Sequence, residues 1–163
     1  MTRLDTVIAR LKAQRSCLNA AAEAIRELDG PILELGLGNG RTYDHLRFLF
    51  PDRDIYVFDR EVASHPDCRP DADHLFLGPM QETLDIALQR LGRTAALAHA
   101  DIGFGDSAAT ERNVLALGPK IPSLVRLGGL ILCDQALDRF DGITPAPLPT
   151  DVSPGRYHLY RRT

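Results

Sequence analysis

One stretch, residues 31–40, constrains the fold more than any other part of the chain. It reads PILELGLGNG, an apolar run broken only by Glu34 that leads into three glycines spaced two apart. The amphipathic segment 41–50 follows directly. This pattern predicts a buried β-strand, a tight turn and the start of a helix. Glycines suit such a turn because they accept positive φ and lack a Cβ, so a ligand can lie against the backbone. The helix start adds unpaired N–H groups and a partial positive charge.

Two classes of ligand use a turn of this kind. Dinucleotide cofactors use Gly-x-Gly-x-x-Gly, with a pyrophosphate at the helix N-terminus. Here the third glycine of that pattern falls on Arg41. Glu34, two residues before the first glycine, would repel a pyrophosphate and would suit an ammonium or sulfonium group. These two residues oppose an NAD-type oxidoreductase, which remains the alternative at this point.

Composition and charge argue against several classes of protein. The chain has 163 residues, which fits one domain, and a net charge of −3, which gives no electrostatic footprint for nucleic acid. Its three cysteines are widely separated and form no Cys-x-x-Cys pair, so they favour free thiols in a reducing compartment over a zinc site. The charged N-terminus lacks a signal sequence, and no apolar run approaches a membrane span. We therefore expect a cytoplasmic protein without a membrane partner.

The hydrophobic pattern predicts an α/β fold. Apolar spacing predicts a helix over residues 2–28 with a break near 15–17, and proline-rich residues 138–155 argue against regular structure there. Alternating helical and strand patterns predict a doubly wound, mostly parallel sheet of about six strands, the last one antiparallel, with helices on both faces. This is a three-layer αβα sandwich in a single domain, 1–163. Its parts are an N-terminal helical segment (1–29), a cofactor-binding core (30–135), and a loop with a C-terminal edge strand (136–163).

Carboxylates stand at the ends of three predicted strands. Asp59 ends the second strand, 25 positions after Glu34 and 19 after Gly40. In doubly wound folds an acid at that place accepts hydrogen bonds from ribose hydroxyls, which supports any adenosine cofactor. Asp101 ends the buried fourth strand, and Asp134 ends the fifth. His99, inside the fourth strand, is predicted to be a hydrogen-bonded core residue rather than a base.

The pattern Glu34-x-Gly36-x-Gly38-x-Gly40 resembles motif I of the class I S-adenosylmethionine (SAM) methyltransferases. The spacing of Asp59 supports the resemblance, which spans about residues 30–135, and Gly128-Gly129 before the fifth strand adds a weaker match. The family usually has an acid after the third strand, where this chain has Pro79 or Met80. The resemblance implies that Glu34 faces the amino group of SAM, directly or through water, and that Asp59 takes the ribose. The cofactor-binding residues that it implies are Glu34, Gly36, Leu37, Gly38, Asn39, Gly40, Thr42, Asp59, Arg60, Met80, Gln81 and Asp101.

A sharper resemblance concerns a metal ion. Small metal-dependent O-methyltransferases place an Asp after the fourth strand and Asp-Asn after the fifth, and these oxygens hold a divalent ion. This chain has Asp101, Asp134 and Gln135 at those places. The alternative, which we favour, is that the two acids cap loops or lie beside the cofactor. Asp101 and Asp134 are also the candidates for a catalytic residue, which the sequence does not identify.

The resemblance implies a SAM-dependent methyltransferase that releases S-adenosylhomocysteine (SAH). A small-molecule acceptor is expected, because a chain of 18.0 kDa leaves little room for a module that binds a large substrate. Besides the NAD-type enzyme, a SAM-binding protein without transfer activity is an open alternative. A homo-oligomer formed through the N-terminal helix is a further hypothesis.

Overall fold

A computed structural model describes residues 2–163, which contain five α-helices and seven β-strands. The helices are α1 (Arg3–Ala24), α2 (Arg41–Leu49), α3 (Met80–Leu91), α4 (Ser107–Leu117) and α5 (Ile121–Leu124). The strands are β1 (Ile32–Leu35), β2 (Ile55–Asp59), β3 (Leu75–Leu77), β4 (Ala95–Ala100), β5 (Val125–Cys133), β6 (Ile143–Pro145) and β7 (His158–Arg162).

The seven strands form one sheet in the order β3-β2-β1-β4-β5-β7-β6. Strands β1 to β5 are parallel, whereas β7 is antiparallel to β5 and β6 is antiparallel to β7. The strand order reverses between β1 and β4, so the loops that leave their carboxyl ends diverge. Open α/β sheets bind ligands in the crevice at such a point. The predicted doubly wound, mostly parallel fold is confirmed.

The antiparallel end of the sheet differs from the prediction of about six strands. A seventh strand, β6, lies within residues 138–155, and it rather than β7 forms the edge of the sheet. Pro145 pairs with Tyr160 in β7. A proline is tolerated there because an edge strand leaves one side of its backbone without a ladder partner. A short strand at the edge of the sheet is thus compatible with the proline content of this segment.

Each face of the sheet has its own apolar core. Helices α1 and α2 cover one face, where Leu18 and Leu46 are buried with Ile32. Helices α3, α4 and α5 cover the other, where Leu84 and Val114 belong to the second core. Successive side chains of a strand point to opposite faces. Burial on both faces explains why β1 and β4 are fully buried along their length.

Helix α1 is a single helix of 22 residues, so the predicted break near residues 15–17 is wrong. Thr2 caps its start: the Thr2 hydroxyl accepts from the Asp5 N–H, and the Asp5 carboxylate accepts from the Thr2 N–H. At the expected break, Cys17 is buried in the core, and the Ser16 hydroxyl donates to Asp151 at 2.7 Å. Tertiary contacts therefore hold the helix continuous. Within residues 2–163, no helix combines the length and apolar character needed to cross a membrane.

Arg53, just before β2, fixes the end of α1 to the sheet. Its guanidinium donates to the carbonyl oxygens of Leu28 at 2.6 Å and Ile25 at 3.1 Å, with longer bonds to Arg26 and Gly30 at 3.3 Å. The last carbonyls of a helix have no partner inside the helix, and a cation near them also interacts favourably with the helix dipole. One side chain thus satisfies four carbonyls between α1 and β1.

We expect Arg53→Gln to lower the free energy of unfolding by roughly 2 kcal/mol, because hydrogen bonds from a charged donor are lost. Urea denaturation followed by circular dichroism measures this change. Arg93→Gln is the matched control, since Arg93 is exposed before β4. Equal stability of the two variants would contradict the role given to Arg53.

Candidate active site

A cleft of about 440 Å³ opens at the carboxyl ends of β1, β2 and β4, at the reversal point of the sheet. Pockets of 300–1,000 Å³ are typical of small-molecule and cofactor sites. Ten of the residues predicted to bind cofactor line it, whereas Glu34 and Gly40 do not. The ten are Gly36, Leu37, Gly38, Asn39, Thr42, Asp59, Arg60, Met80, Gln81 and Asp101.

The three glycines of the loop after β1 have different environments and structural roles. Gly36 has a φ of +96°, and a Cβ there would lie 2.8 Å from the Asp101 carbonyl oxygen, so this position keeps the loop against β4. A Cβ at Gly40 would lie 2.5 Å from the Cβ of Cys68, so Gly40 faces protein. Gly38 has a φ of +48°, and a Cβ there would meet no protein atom within 4 Å. The backbone at Gly38 is therefore open to the cleft.

Asp59 braces this loop from the end of β2. One oxygen of its carboxylate accepts from the N–H groups of Leu37 at 2.8 Å and Gly38 at 3.2 Å, and the other accepts from Arg60 N–H at 2.6 Å. The second oxygen also accepts from Glu61 N–H at the long distance of 3.5 Å. Of the roughly four acceptor positions of a carboxylate, three therefore hold shorter bonds and the fourth only a weak one, which a ligand hydroxyl could replace. The place of Asp59 in the cleft is compatible with the ribose role that the sequence predicts.

Glu34 lies behind the cleft and is fully buried. One of its oxygens accepts from the Thr42 hydroxyl in the first turn of α2, and the other lies 2.5 Å from Nδ1 of His99. Glu34 and His99 are neighbours in the parallel register of β1 and β4. Both carboxylate oxygens thus have protein partners, which differs from the expected position facing a ligand.

His99 begins a chain of polar contacts that leads back to the cleft. Its Nε2 lies 2.7 Å from the hydroxyl of Tyr157, which also accepts from the Gln14 amide at 3.2 Å. The same amide donates to Asp101 at 3.2 Å, and Arg10 donates to that carboxylate at 2.8 Å. His99, Gln14 and Tyr157 are buried, so this chain connects β4, α1 and the segment before β7 through the interior. The predicted core role of His99 is confirmed.

The buried chain shifts the pKa values of its members. Burial acts to lower the pKa of His99, but the charge and hydrogen bond of Glu34 outweigh burial and raise the pKa above 6.5. Burial, with a smaller contribution from the Asp134 carboxylate, raises the pKa of Asp101 despite the opposing charge of Arg10. Burial likewise raises the pKa of the Tyr157 hydroxyl well above its ordinary value.

Asp134 holds the loop that follows β4. Its two oxygens accept from the N–H groups of Ile102 at 2.9 Å and Gly103 at 3.0 Å, and Gln135 donates its amide N–H to it at 2.9 Å. A Cβ at Gly103 would lie 2.5 Å from the Asp134 carboxylate and 2.5 Å from the Gln135 amide nitrogen, so a larger residue here would have to displace these two side chains. This geometry is that of a loop cap. Among residues 2–163, no group of three or more His, Cys, Asp or Glu side chains is arranged to hold a metal ion.

Several lining residues have no motif in the sequence. Helix α1 contributes Arg10, Leu11 and Gln14 to the cleft, so it covers the mouth as well as one face of the sheet. A 3.6-residue apolar pattern identifies the core face of a helix but does not place its other residues. The remaining residues that sequence reasoning missed are Arg41, Ile102, Gly103, Phe104 and Asn113. For the loop after β4, the glycines at 103 and 105 were the available signal.

The doubly wound sheet, the glycine-rich loop after β1 and the carboxylate after β2 define a Rossmann-like cofactor-binding protein. Residues 1–162 match the sequence model of the S-adenosyl-L-methionine methyltransferase family, and the chain belongs to this family. SAM, rather than NAD, is the cofactor of the family. No curated protein matches the sequence.

Solved structures agree with the family. The crystal structure of an S-adenosyl-L-methionine methyl transferase from Silicibacter pomeroyi DSS-3 is 44% identical, with a TM-score of 0.94 over 100% of this chain and 99% of that one. MycE from the mycinamycin biosynthetic pathway, solved with Mg, SAH and mycinamycin VI, is 17% identical, with a TM-score of 0.58 over 96% of this chain and 48% of MycE. The aminoglycoside resistance methyltransferase NpmB1 is 14% identical, with a TM-score of 0.52 over 91% and 93% of the two chains. The last two show a shared fold.

The pair of Glu34 and His99 makes stability depend on pH. Because the pKa of His99 is raised in the folded state, its contribution is complete below the unfolded pKa of about 6.5 and is lost as pH rises through the folded pKa. We therefore expect the free energy of unfolding to fall above about pH 6.5, by up to about 1.4 kcal/mol per pH unit for one proton.

Urea titrations at several pH values measure this decline, and the double variant Glu34→Gln/His99→Gln, in which neither partner titrates, should remove it. His74, whose pKa is also raised, through its hydrogen bonds with Asp71 and Asp54, is present in both proteins and cancels in the comparison. An identical pH profile in wild type and the double variant would contradict the assignment.

Proposed function

We propose that this protein transfers the methyl group of SAM to a small-molecule acceptor that enters the cleft beneath α1. The observation that carries the proposal is the open backbone at Gly38 directly beside the carboxylate of Asp59. A cofactor can lie against this backbone while its hydroxyls reach a carboxylate acceptor. Met80 supplies an apolar side chain at the same cleft, and Gln81 a polar one, as an adenine ring requires.

Methyl transfer from SAM requires mainly that the methyl donor and the acceptor are aligned. The methyl group of SAM is electrophilic because it is bonded to a positive sulfonium, and it moves to a nucleophile by direct displacement. Holding two reactants in line and excluding water can supply much of the rate of such a step. In this chain, the glycine-rich loop and Asp59 hold the donor side, and α1 with the loop after β4 encloses the acceptor side. The helix thereby limits access of water to the reacting atoms.

Asp101 is the candidate for a general base. It lies in the cleft between the glycine-rich loop and α1, and Arg10 and Gln14 fix its carboxylate. A carboxylate whose pKa is raised by burial binds a proton more strongly, which suits removal of a proton from an acceptor hydroxyl or amine. Asp134 suits this role less because both of its oxygens accept backbone N–H groups.

We propose that Glu34 acts on the cofactor indirectly. Its carboxylate binds the hydroxyl of Thr42, and Thr42 lines the cleft in the first turn of α2. We infer that Glu34 acts on the cofactor site by orienting Thr42, because its other oxygen is held by His99, whose raised pKa makes it a cationic partner that offsets the Glu34 charge.

A small acceptor is favoured over nucleic acid by the charge of the protein. The chain carries a net charge of −3, whereas proteins that bind nucleic acid rely on clustered Lys and Arg to neutralise phosphates. A cleft partly closed by α1 also suits a ligand small enough to pass beneath the helix.

Asp59→Asn should weaken SAH binding by about 1–3 kcal/mol, the range for hydrogen bonds to a charged group. The amide keeps a carbonyl oxygen for the Leu37 and Gly38 N–H groups, so the loop keeps this part of its brace, whereas the bond from Arg60 N–H is lost. Titration calorimetry with SAM, SAH and NAD measures the effect, with Asp52→Asn at an exposed turn as the control. Binding of NAD without SAM would reject the proposal. SAM binding without labelled product from any acceptor would instead identify a SAM-binding protein that lacks transfer.

Gly38→Ala should weaken SAH binding by at least about tenfold, because its Cβ would occupy the space that the backbone leaves open to the ligand. The matched control is Gly128→Ala, since Gly128 also has positive φ (+80°), has no atom within 4 Å of a Cβ, and lies before the buried half of β5. Both substitutions strain the backbone by about 1–2 kcal/mol. Equal SAH affinity in the two variants would show that Gly38 does not contact the cofactor.

A further inference from the structure

A second cleft of about 380 Å³ adjoins the first and shares Arg10, Gly103 and Phe104 with it. Its other walls include Gln135, after β5, and Arg156, before β7. The two clefts meet at the loop after β4, so a molecule in the second cleft lies beside the proposed donor site. The second cleft is not lined by Gly38 or Asp59, the two residues on which the cofactor proposal depends.

Arg156 is a cationic side chain in the wall of this second cleft. It is half-buried, and within residues 2–163 its guanidinium makes no hydrogen bond or ion pair with another side chain or with the backbone. The other charged groups here have partners. Arg10 donates to Asp101 at 2.8 Å, and Asp134 accepts from two backbone N–H groups and the Gln135 amide. Arg156 is therefore the cation here that has no partner of its own among the described residues, and the Asp134 carboxylate in the same wall keeps its charge because its donors are all neutral.

Phe104 provides an apolar surface where the two clefts meet. Its residue is 57% exposed, although a phenylalanine usually buries its ring. The backbone around it is fixed, because Phe104 N–H donates to the Thr110 hydroxyl at 2.8 Å and that hydroxyl lies 3.2 Å from the Phe104 carbonyl. The ring is thus held at the junction on a braced loop, with room beside it for a second apolar group.

We propose that the second cleft is an acceptor subsite, where Arg156 binds a carboxylate or phosphate group of the acceptor and Phe104 packs against its ring or apolar body. The assignment of this subsite to the acceptor rests on the proposed function. Guanidinium groups are well matched to both oxyanions because they offer paired, always charged donors. The substrate class is therefore a small anionic molecule with an apolar part.

Four probes with one ring and different charges test the subsite: benzoate, phenyl phosphate, benzyl alcohol and benzylamine. Each is titrated into ¹⁵N-labelled protein, with and without saturating SAH, while the amide signals of Gly103, Phe104 and Gly105 are followed. At least one anionic probe should bind about tenfold more tightly than benzyl alcohol, as expected for one charge-assisted hydrogen bond. Benzoate alone identifies a carboxylate site, and phenyl phosphate alone identifies a phosphate site.

Substitutions locate the effect on one side chain. Arg156→Gln should remove the tenfold preference, Arg156→Lys should keep part of it, and Arg93→Gln, on an exposed residue before β4, should keep it all. Tighter binding of benzylamine, or an unchanged preference in Arg156→Gln, would overturn the subsite. A protein that fails to bind SAH would overturn the proposed function, whereas the titrations without SAH still decide whether Arg156 binds an anion.

Discussion

The buried contact between Glu34 and His99 is the interaction on which the rest of the site depends. Two ionisable groups lie side by side in the middle of the sheet without access to water. An isolated buried charge is very costly, and the cost is offset only when a partner and further hydrogen bonds are present. Thr42 and Tyr157 supply those further bonds. The pair therefore requires α2, β4 and the segment before β7 to be in place together.

This requirement couples the two halves of the active site. From Glu34, the contacts lead through Thr42 to the helix that follows the glycine-rich loop. From His99, they lead through Tyr157 and Gln14 to Asp101 at the cleft. The proposed donor side and the proposed acceptor side are thus attached to the same buried pair. A displacement of α1 would move Gln14 and break its hydrogen bond to Asp101.

The central fold was predictable because its signals are local. Strand β4 and helix α4 illustrate this, since a buried apolar run and a capped helix each depend on neighbouring residues. The antiparallel last strand, β7, was predicted correctly, but the edge strand β6 was not: it is three residues long and depends on β7 as its pairing partner. The continuity of α1 has a similar cause, since its middle is held by the core around Cys17 and by Asp151, 135 positions away in the sequence.

The sequence by itself favoured SAM over NAD, because the spacing of Glu34, Gly36, Gly38 and Gly40 encodes a strand, an open turn and a nearby carboxylate; the family match then established SAM. The sequence also placed Asp59 and Asp101 at strand ends that meet at one edge of the sheet. Only the tertiary structure decided what Glu34 touches, because the register of β1 and β4 sets His99 beside it. It likewise brought Arg10 and Gln14 to the cleft, since a helix distant in sequence reaches the mouth only by packing on the sheet.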